Sequence, residues 1–89
     1  MKVINLGEKK IDISPNPFST YTILTVPDEV IKPYSLELFN TEGDKIFSQT
    51  NIISNKFILG GNKLQIGTYF CKVFSHDFSF IFTGKIIVN

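Results

Sequence analysis

One imidazole, one thiol and eight carboxylates are the groups from which acid–base, nucleophilic or metal chemistry would have to be built in this chain. Their spacing assembles none of it. A nucleophile needs a base within hydrogen-bond reach and a third group to orient that base. His76 is the single histidine and stands between Ser75 and Asp77, a polar link between two β-rich runs, where it reads as a solvated turn residue. Cys71 is flanked by core positions of a strand and reads as a small hydrophobe rather than a reactive thiol. Neither C-x-x-C nor H-x-x-x-H occurs, so convergent zinc ligands are not expected. Glu42 and Asp44 flank Gly43, and Asp28 adjoins Glu29. Without a dense Asp/Asn loop these pairs are better explained as turn chemistry than as Ca²⁺ ligands. Gly60-Gly61-Asn62-Lys63 has neither the spacing of a phosphate loop nor a helix after it, and reads as a turn. No cofactor, metal or catalytic residue is expected, and the chain reads as a non-enzyme.

The elements that would have to position such groups are all strands. Ile11-Asp12-Ile13 alternates apolar and polar, then meets Ser14-Pro15-Asn16-Pro17, where two prolines withhold two backbone donors and the strand must stop or leave its sheet. Phe18 returns to the core. Residues 20–26 are rich in β-branched side chains and end at the Pro27-Asp28 turn signal. Their inward face stays open, because Tyr21/Ile23 and Leu24/Val26 have opposite parity and a bulge could reconcile them. Residues 34–38 alternate with Tyr34, Leu36 and Leu38 inward, and a loop from Asn40 to Asp44, with Gly43 at positive φ, turns the chain into Lys45–Ser48. Lys56–Leu59 is another short strand, closed by Gly60-Gly61-Asn62. In Thr68–Phe74, Tyr69, Cys71 and Val73 share one face and Phe70, Lys72 and Phe74 the other. The last strand is expected from near Phe78 to Asn89, with Phe80, Phe82, Ile86 and Val88 on one parity and a bulge or bend at Gly84. It pairs with Thr68–Phe74 as a hairpin, and an ordered end is expected because no polar tail follows.

About seven short strands at roughly ten-residue spacing, without helical periodicity, describe an all-β, antiparallel sandwich. A Greek-key immunoglobulin-like arrangement is the first expectation and a small barrel the second. A chain of 89 residues makes one domain that buries only about 60 to 65% of its unfolded surface. The 43% hydrophobic content, with nine Phe, suffices for one thin core. Cys71 can make no internal disulfide, so the fold rests on packing. Residues 1–10 read as a linker or remnant of an upstream region, with Lys2–Leu6 as a candidate first short strand, and the domain runs over 11–89.

Nine lysines, scattered and with no arginine, balance eight acids to a net charge of +1. That balance argues against nucleic acid, which needs clustered basic side chains and arginine forks. No run approaches a membrane span, and Met1–Asn5 lacks the apolar region of a signal peptide. Phe39, Phe70 and Phe74 fall on outward parity, either as a docking patch or under a neighbouring strand or domain.

Three pieces in order then resemble a known family. Ile13-Ser14-Pro15-Asn16-Pro17-Phe18 is similar to an opening apolar-x-Pro-Asn-Pro motif. Leu36 to Ile46 is similar to a strand followed by Asp/Asn, two variable residues and Gly. Leu64-Gln65-Ile66-Gly67-Thr68-Tyr69-Phe70, with Lys85-Ile86-Ile87-Val88, resembles Leu-x-x-Gly-x-Tyr and a closing Lys-apolar-apolar-Val. The family is the type A C-terminal sorting domain of the type IX (Por) secretion system of Bacteroidetes. The resemblance covers about residues 11–89, with Asn40 where Asp is common and Ile66 where Pro or a small residue is common.

The resemblance implies an address label on a larger secreted cargo, recognised by the outer-membrane translocon and removed by a sortase-like cysteine protease. It implies passage through the periplasm to the outer-membrane surface or the extracellular space, and a separate N-terminal export signal on the full-length protein. Cargo in this family is often joined to anionic lipopolysaccharide. By this reading Gly67, Tyr69, Lys85, Ile86, Ile87 and Val88 form the recognised element, with the terminal strand as an edge read by strand addition, and Pro15, Asn16 and Pro17 mainly fix where the domain begins. Exposed edges leave self-association open, and membrane insertion is not expected. The rival reading is an immunoglobulin-like accessory module that binds glycan or protein.

Overall fold

Seven strands are present among the described residues of the computed structural model, which are 11–60 and 64–89. The expectations for residues 1–10, and for the turn and lysine at 61–63, lie outside them. The strands are β1 (Asp12–Ser14), β2 (Tyr21–Thr25), β3 (Tyr34–Phe39), β4 (Lys45–Ile52), β5 (Lys56–Gly60), β6 (Gly67–Ser75) and β7 (Ile81–Val88). They form two antiparallel sheets, of order β1-β2-β5 and β4-β3-β6-β7. Two separate sheets make a sandwich, not a barrel, and their order fits the Greek-key immunoglobulin-like arrangement.

Period-two alternation sets the core. Thr22 and Leu24 of β2 and Leu59 of β5 point inward from the small sheet, and Tyr34, Leu36, Leu38, Tyr69, Cys71, Val73, Ile86 and Val88 point inward from the large one. The parity conflict in β2 resolves in favour of Leu24 and Val26. Tyr21 is exposed, and β2 pairs with both neighbours in uninterrupted register, so no bulge is needed. Thr22 faces inward at the price of a buried hydroxyl, satisfied by donation to the Pro15 carbonyl at 2.6 Å. Each large apolar side chain buried this way contributes about 1.5–3 kcal/mol, on which a chain without disulfides depends.

Three connections tie the sheets. Phe18, on the segment after β1, is 2% exposed in the core. The Tyr34 hydroxyl donates to the Ser54 carbonyl at 2.7 Å, and Val26 N–H donates to the Asn55 carbonyl at 2.8 Å, so the link from β4 to β5 is held from both layers. The β3–β4 hairpin closes at the expected loop. Gly43 has φ of +89°, and the Asn40 Oδ1 accepts from the backbone N–H groups of Glu42 (3.0 Å) and Asp44 (2.9 Å). Since only the acceptor is used, Asn serves here as Asp would.

β4 runs to Ile52, well past Ser48, and carries a register shift opposite Tyr34/Leu36 where Asn51 sits at φ of +57°. Asn tolerates that left-handed conformation better than most residues. Two expectations about the last hairpin need correction. β7 starts at Ile81, because residues 76–80 form a turn in which Phe78 has φ of +60° and Ser75 Oγ accepts from Phe80 N–H at 3.0 Å. Gly84 makes no bulge: β6 and β7 pair continuously from Gly67↔Val88 to Phe74↔Ile81. Its missing side chain has a packing reason, since a Cβ there would lie 3.0 Å from the Phe82 ring and 3.4 Å from Cys71 Sγ.

Candidate functional site

Residues 85–88 form the end of β7, at the border of the larger sheet, and the sequence motifs converge on it. On its inner side lies the start of β6, with Gly67 opposite Val88, Thr68 opposite Ile87, Tyr69 opposite Ile86 and Phe70 opposite Lys85. Ile86 and Val88 are buried, whereas Lys85 faces solvent and Ile87 is half-buried on the outer face.

The residues before Tyr69 explain how β6 begins. Gly67 has φ of +153° with open space where a Cβ would sit, so backbone conformation rather than crowding demands glycine. Tyr69 folds back over this turn and its hydroxyl donates to the Gln65 carbonyl at 2.6 Å, with the ring 7% exposed. A tyrosine two residues before a buried cysteine, bonded to backbone a few residues upstream, resembles the corner seen in immunoglobulin-type sandwiches. Leu64, Gln65 and Tyr69 also border a recess with Asn40 and Ile46, so the β3–β4 loop lies against the corner. Gly67 and Tyr69 therefore sit beside the terminal strand as parts that shape it.

On its outer side the terminal strand meets the proline motif. Asn16 Nδ2 donates to the Lys85 carbonyl at 2.9 Å, and Asn16 Oδ1 accepts from Ile87 N–H at 2.9 Å. Phe18 continues the contact: its N–H donates to the Ile87 carbonyl at 3.0 Å, and its carbonyl accepts from Asn89 N–H at 2.8 Å, in a parallel bridge with Val88. Pro15 and Pro17 have no N–H, so the Asn16 carboxamide, which carries one donor and one acceptor side by side like a peptide group, stands in for a strand's backbone. Sequence reasoning offered residues 85–88 as an edge open to strand addition. In the structure Asn16 and Phe18 occupy that edge from Lys85 to Asn89. Nothing in strand periodicity could have revealed this, because a side chain supplies the pairing.

The outer face of the large sheet carries the remaining candidates. Phe39, Phe70 and Lys85 share one cross-strand row, and Glu37, Lys72 and Thr83 the next. Phe70 is 45% exposed, while Phe39 and Phe74 are half-covered. Phe74 stacks on Phe78 with ring centroids 5.4 Å apart, and Lys72 Nζ lies 5.3 Å from the Phe74 ring. Lys45 and Glu37 pair at 3.2 Å on the same face.

The groups that could do chemistry are dispersed. His76 is exposed in the β6–β7 turn, and Cys71 is 1% exposed in the core, where burial pushes its thiol up. Asp77 organises the turn: Ser79 N–H donates to its Oδ1 at 3.0 Å, and the Ser79 and Ser75 hydroxyls assist, which together hold the carboxyl below its usual range. Among the described residues no three His, Cys, Asp or Glu side chains gather in a way that could hold a metal ion, and no helix is long and apolar enough to cross a membrane.

The site is thus a strand end clasped from two sides, with the family-like motifs at 13–18, 64–70 and 85–88 in contact and the one at 36–46 beside them. A search of curated proteins finds no match. The family model described as secretion system C-terminal sorting domain matches residues 12–89. With nearly its whole length covered, the chain belongs to that family, and it is a C-terminal sorting signal of type IX secretion.

Proposed function

We propose that the domain carries a larger cargo, attached ahead of residue 11, to the type IX translocon, and that the translocon reads the end of the sandwich built around residues 85–88. The family membership implies export toward the outer membrane or cell surface, and engagement with the secretion machinery and an upstream cargo. In this proposal the route passes through the periplasm, a sortase-like protease removes the domain after export, and the domain itself catalyses nothing. Gly67, Tyr69, Lys85, Ile86, Ile87 and Val88 form the recognised element, with Pro15, Asn16 and Pro17 at its border.

One observation carries the reading: the motifs, more than seventy residues apart in sequence at their extremes, meet at one strand end, through Asn16 to Lys85 and Ile87 and through Gly67–Tyr69 to Ile86–Val88. The division of labour follows from burial. Gly67, Tyr69, Ile86 and Val88 fix the strand's path, and Lys85 and Ile87 offer side chains to a reader. A cation beside an apolar group on a rigid strand suits a receptor pocket that is apolar with an acidic rim. The test is a reporter fused ahead of residues 11–89 and expressed in a host with a type IX system. Removal of residues 85–89 is expected to abolish its appearance outside the cell, and undiminished export without them would overturn the reading.

A further inference from the structure

We propose that Asn16 is a positioning residue of the sorting signal, and that Pro15–Phe18 and Lys85–Asn89 are recognised together as one closed unit. The inference rests on the sorting reading above. A border strand with open N–H and C=O groups can pair with any other extended chain, so its conformation and its partners are poorly specified. Here the last residues of β7 have that freedom removed. The carboxamide of Asn16 fills one acceptor and one donor, at Lys85 O and Ile87 N, and the Phe18 backbone fills Ile87 O and Asn89 N. The clasp is anchored in turn: Phe18 is buried, and the Pro15 carbonyl accepts from Thr22 of β2. The segment that joins the cargo side to the domain is therefore also the segment that holds the signal strand flat and aims Lys85 and Ile87 outward. A reader that docks on those side chains meets a closed strand, and opening the clasp lets the strand fray without altering any residue in it.

The side-chain chemistry makes the proposal specific. Asp at position 16 keeps an acceptor for Ile87 N–H but loses the donor to the Lys85 carbonyl and sets a carboxylate against it. Ala loses both bonds. In the full chain, N16A is expected to speed hydrogen exchange of the Ile87 amide by roughly tenfold or more, as follows from losing the bond that protects it, and N16D by less. Both variants, fused behind a reporter cargo, are expected to export at least about fivefold less than wild type. I52V, a core change on β4 at the opposite border of the large sheet and outside every family-like motif, serves as the stability control, its melting temperature measured beside that of N16A, and is expected to export normally. Wild-type exchange at Ile87 in N16A would overturn the clasp. Faster exchange with wild-type export would overturn its part in the signal, as would equal export loss in I52V. Failure of the wild-type fusion to export would overturn the sorting reading itself, while the exchange measurement still decides whether the clasp exists.

Discussion

Replacing Tyr69 with Phe separates two explanations of the Gly-x-Tyr motif, as a corner that shapes β6 or as a group read directly by the translocon. The hydroxyl makes one described hydrogen bond, 2.6 Å to the Gln65 carbonyl. Gln65 is exposed, so its carbonyl can turn to water once the donor is gone, and the loss falls near the middle of the usual range, about 1 kcal/mol. For a domain of this length that lowers the melting temperature by roughly 4–8 °C. Y69A also removes a buried ring and is expected to cost about 3–5 kcal/mol, a large share of the roughly 5–15 kcal/mol that holds a small domain folded. Thermal unfolding of both variants by circular dichroism, beside export of the same variants fused to a reporter, makes the comparison. If the tyrosine works as a corner, Y69F exports at 25 °C nearly as wild type and Y69A does not. Y69F melting at the wild-type temperature would refute the corner. Y69F that is folded yet not exported would show that the hydroxyl is read.

Four further outcomes follow from the geometry. G67A meets no steric obstacle but places a side chain at φ of +153°, so it should lose about 1–3 kcal/mol in urea titration although nothing is crowded. G84V forces branched carbons against the Phe82 ring and Cys71 Sγ, and should cost about 1–3 kcal/mol with protection lost along β6 and β7 in hydrogen exchange. The Asp77 carboxyl has a depressed folded pKa, so its contribution is present above the unfolded value and lost as pH falls from about 4 through the lowered folded one. Melting temperatures of wild type should accordingly drop more steeply below pH 4 than those of D77N. Cys71, buried and with its thiol pushed up, should resist a thiol reagent in native buffer and react at once in guanidinium, and rapid native labelling would contradict its place in the core.

What each stretch revealed depended on the range of the interaction that decides it. Short-range rules were readable: strand identity came from β-branched runs and alternation, the Asn40–Asp44 loop from its turn residues, and the outward Phe70 from parity along one strand. Where two nearby signals competed, the wrong one was tempting. Gly84 looks like a bulge, yet it is the space that Phe82 and Cys71 need across the pair, and Phe78 looks like strand, yet Ser75 and Asp77 bind the backbone into a longer turn. Asn51 in β4 gave no sequence signal beyond Asn's ease at positive φ.

By itself the sequence determined the class of the fold and the places of most strands and turns, and its motif order carried the resemblance to a sorting domain. The fold class follows from side-chain period and local turn chemistry, which act over a few residues, whereas the sorting reading came from the resemblance of the motifs to a family. The tertiary structure decided the role of the proline motif. Asn16 and Ile87 stand 71 positions apart, and their bond exists because the crossing from one sheet to the other brings a carboxamide to a strand border whose neighbouring backbone, interrupted by prolines, could not supply the pairing. A pairing made by one side chain has no period to read, so only the folded chain shows that the beginning of the domain holds its last strand.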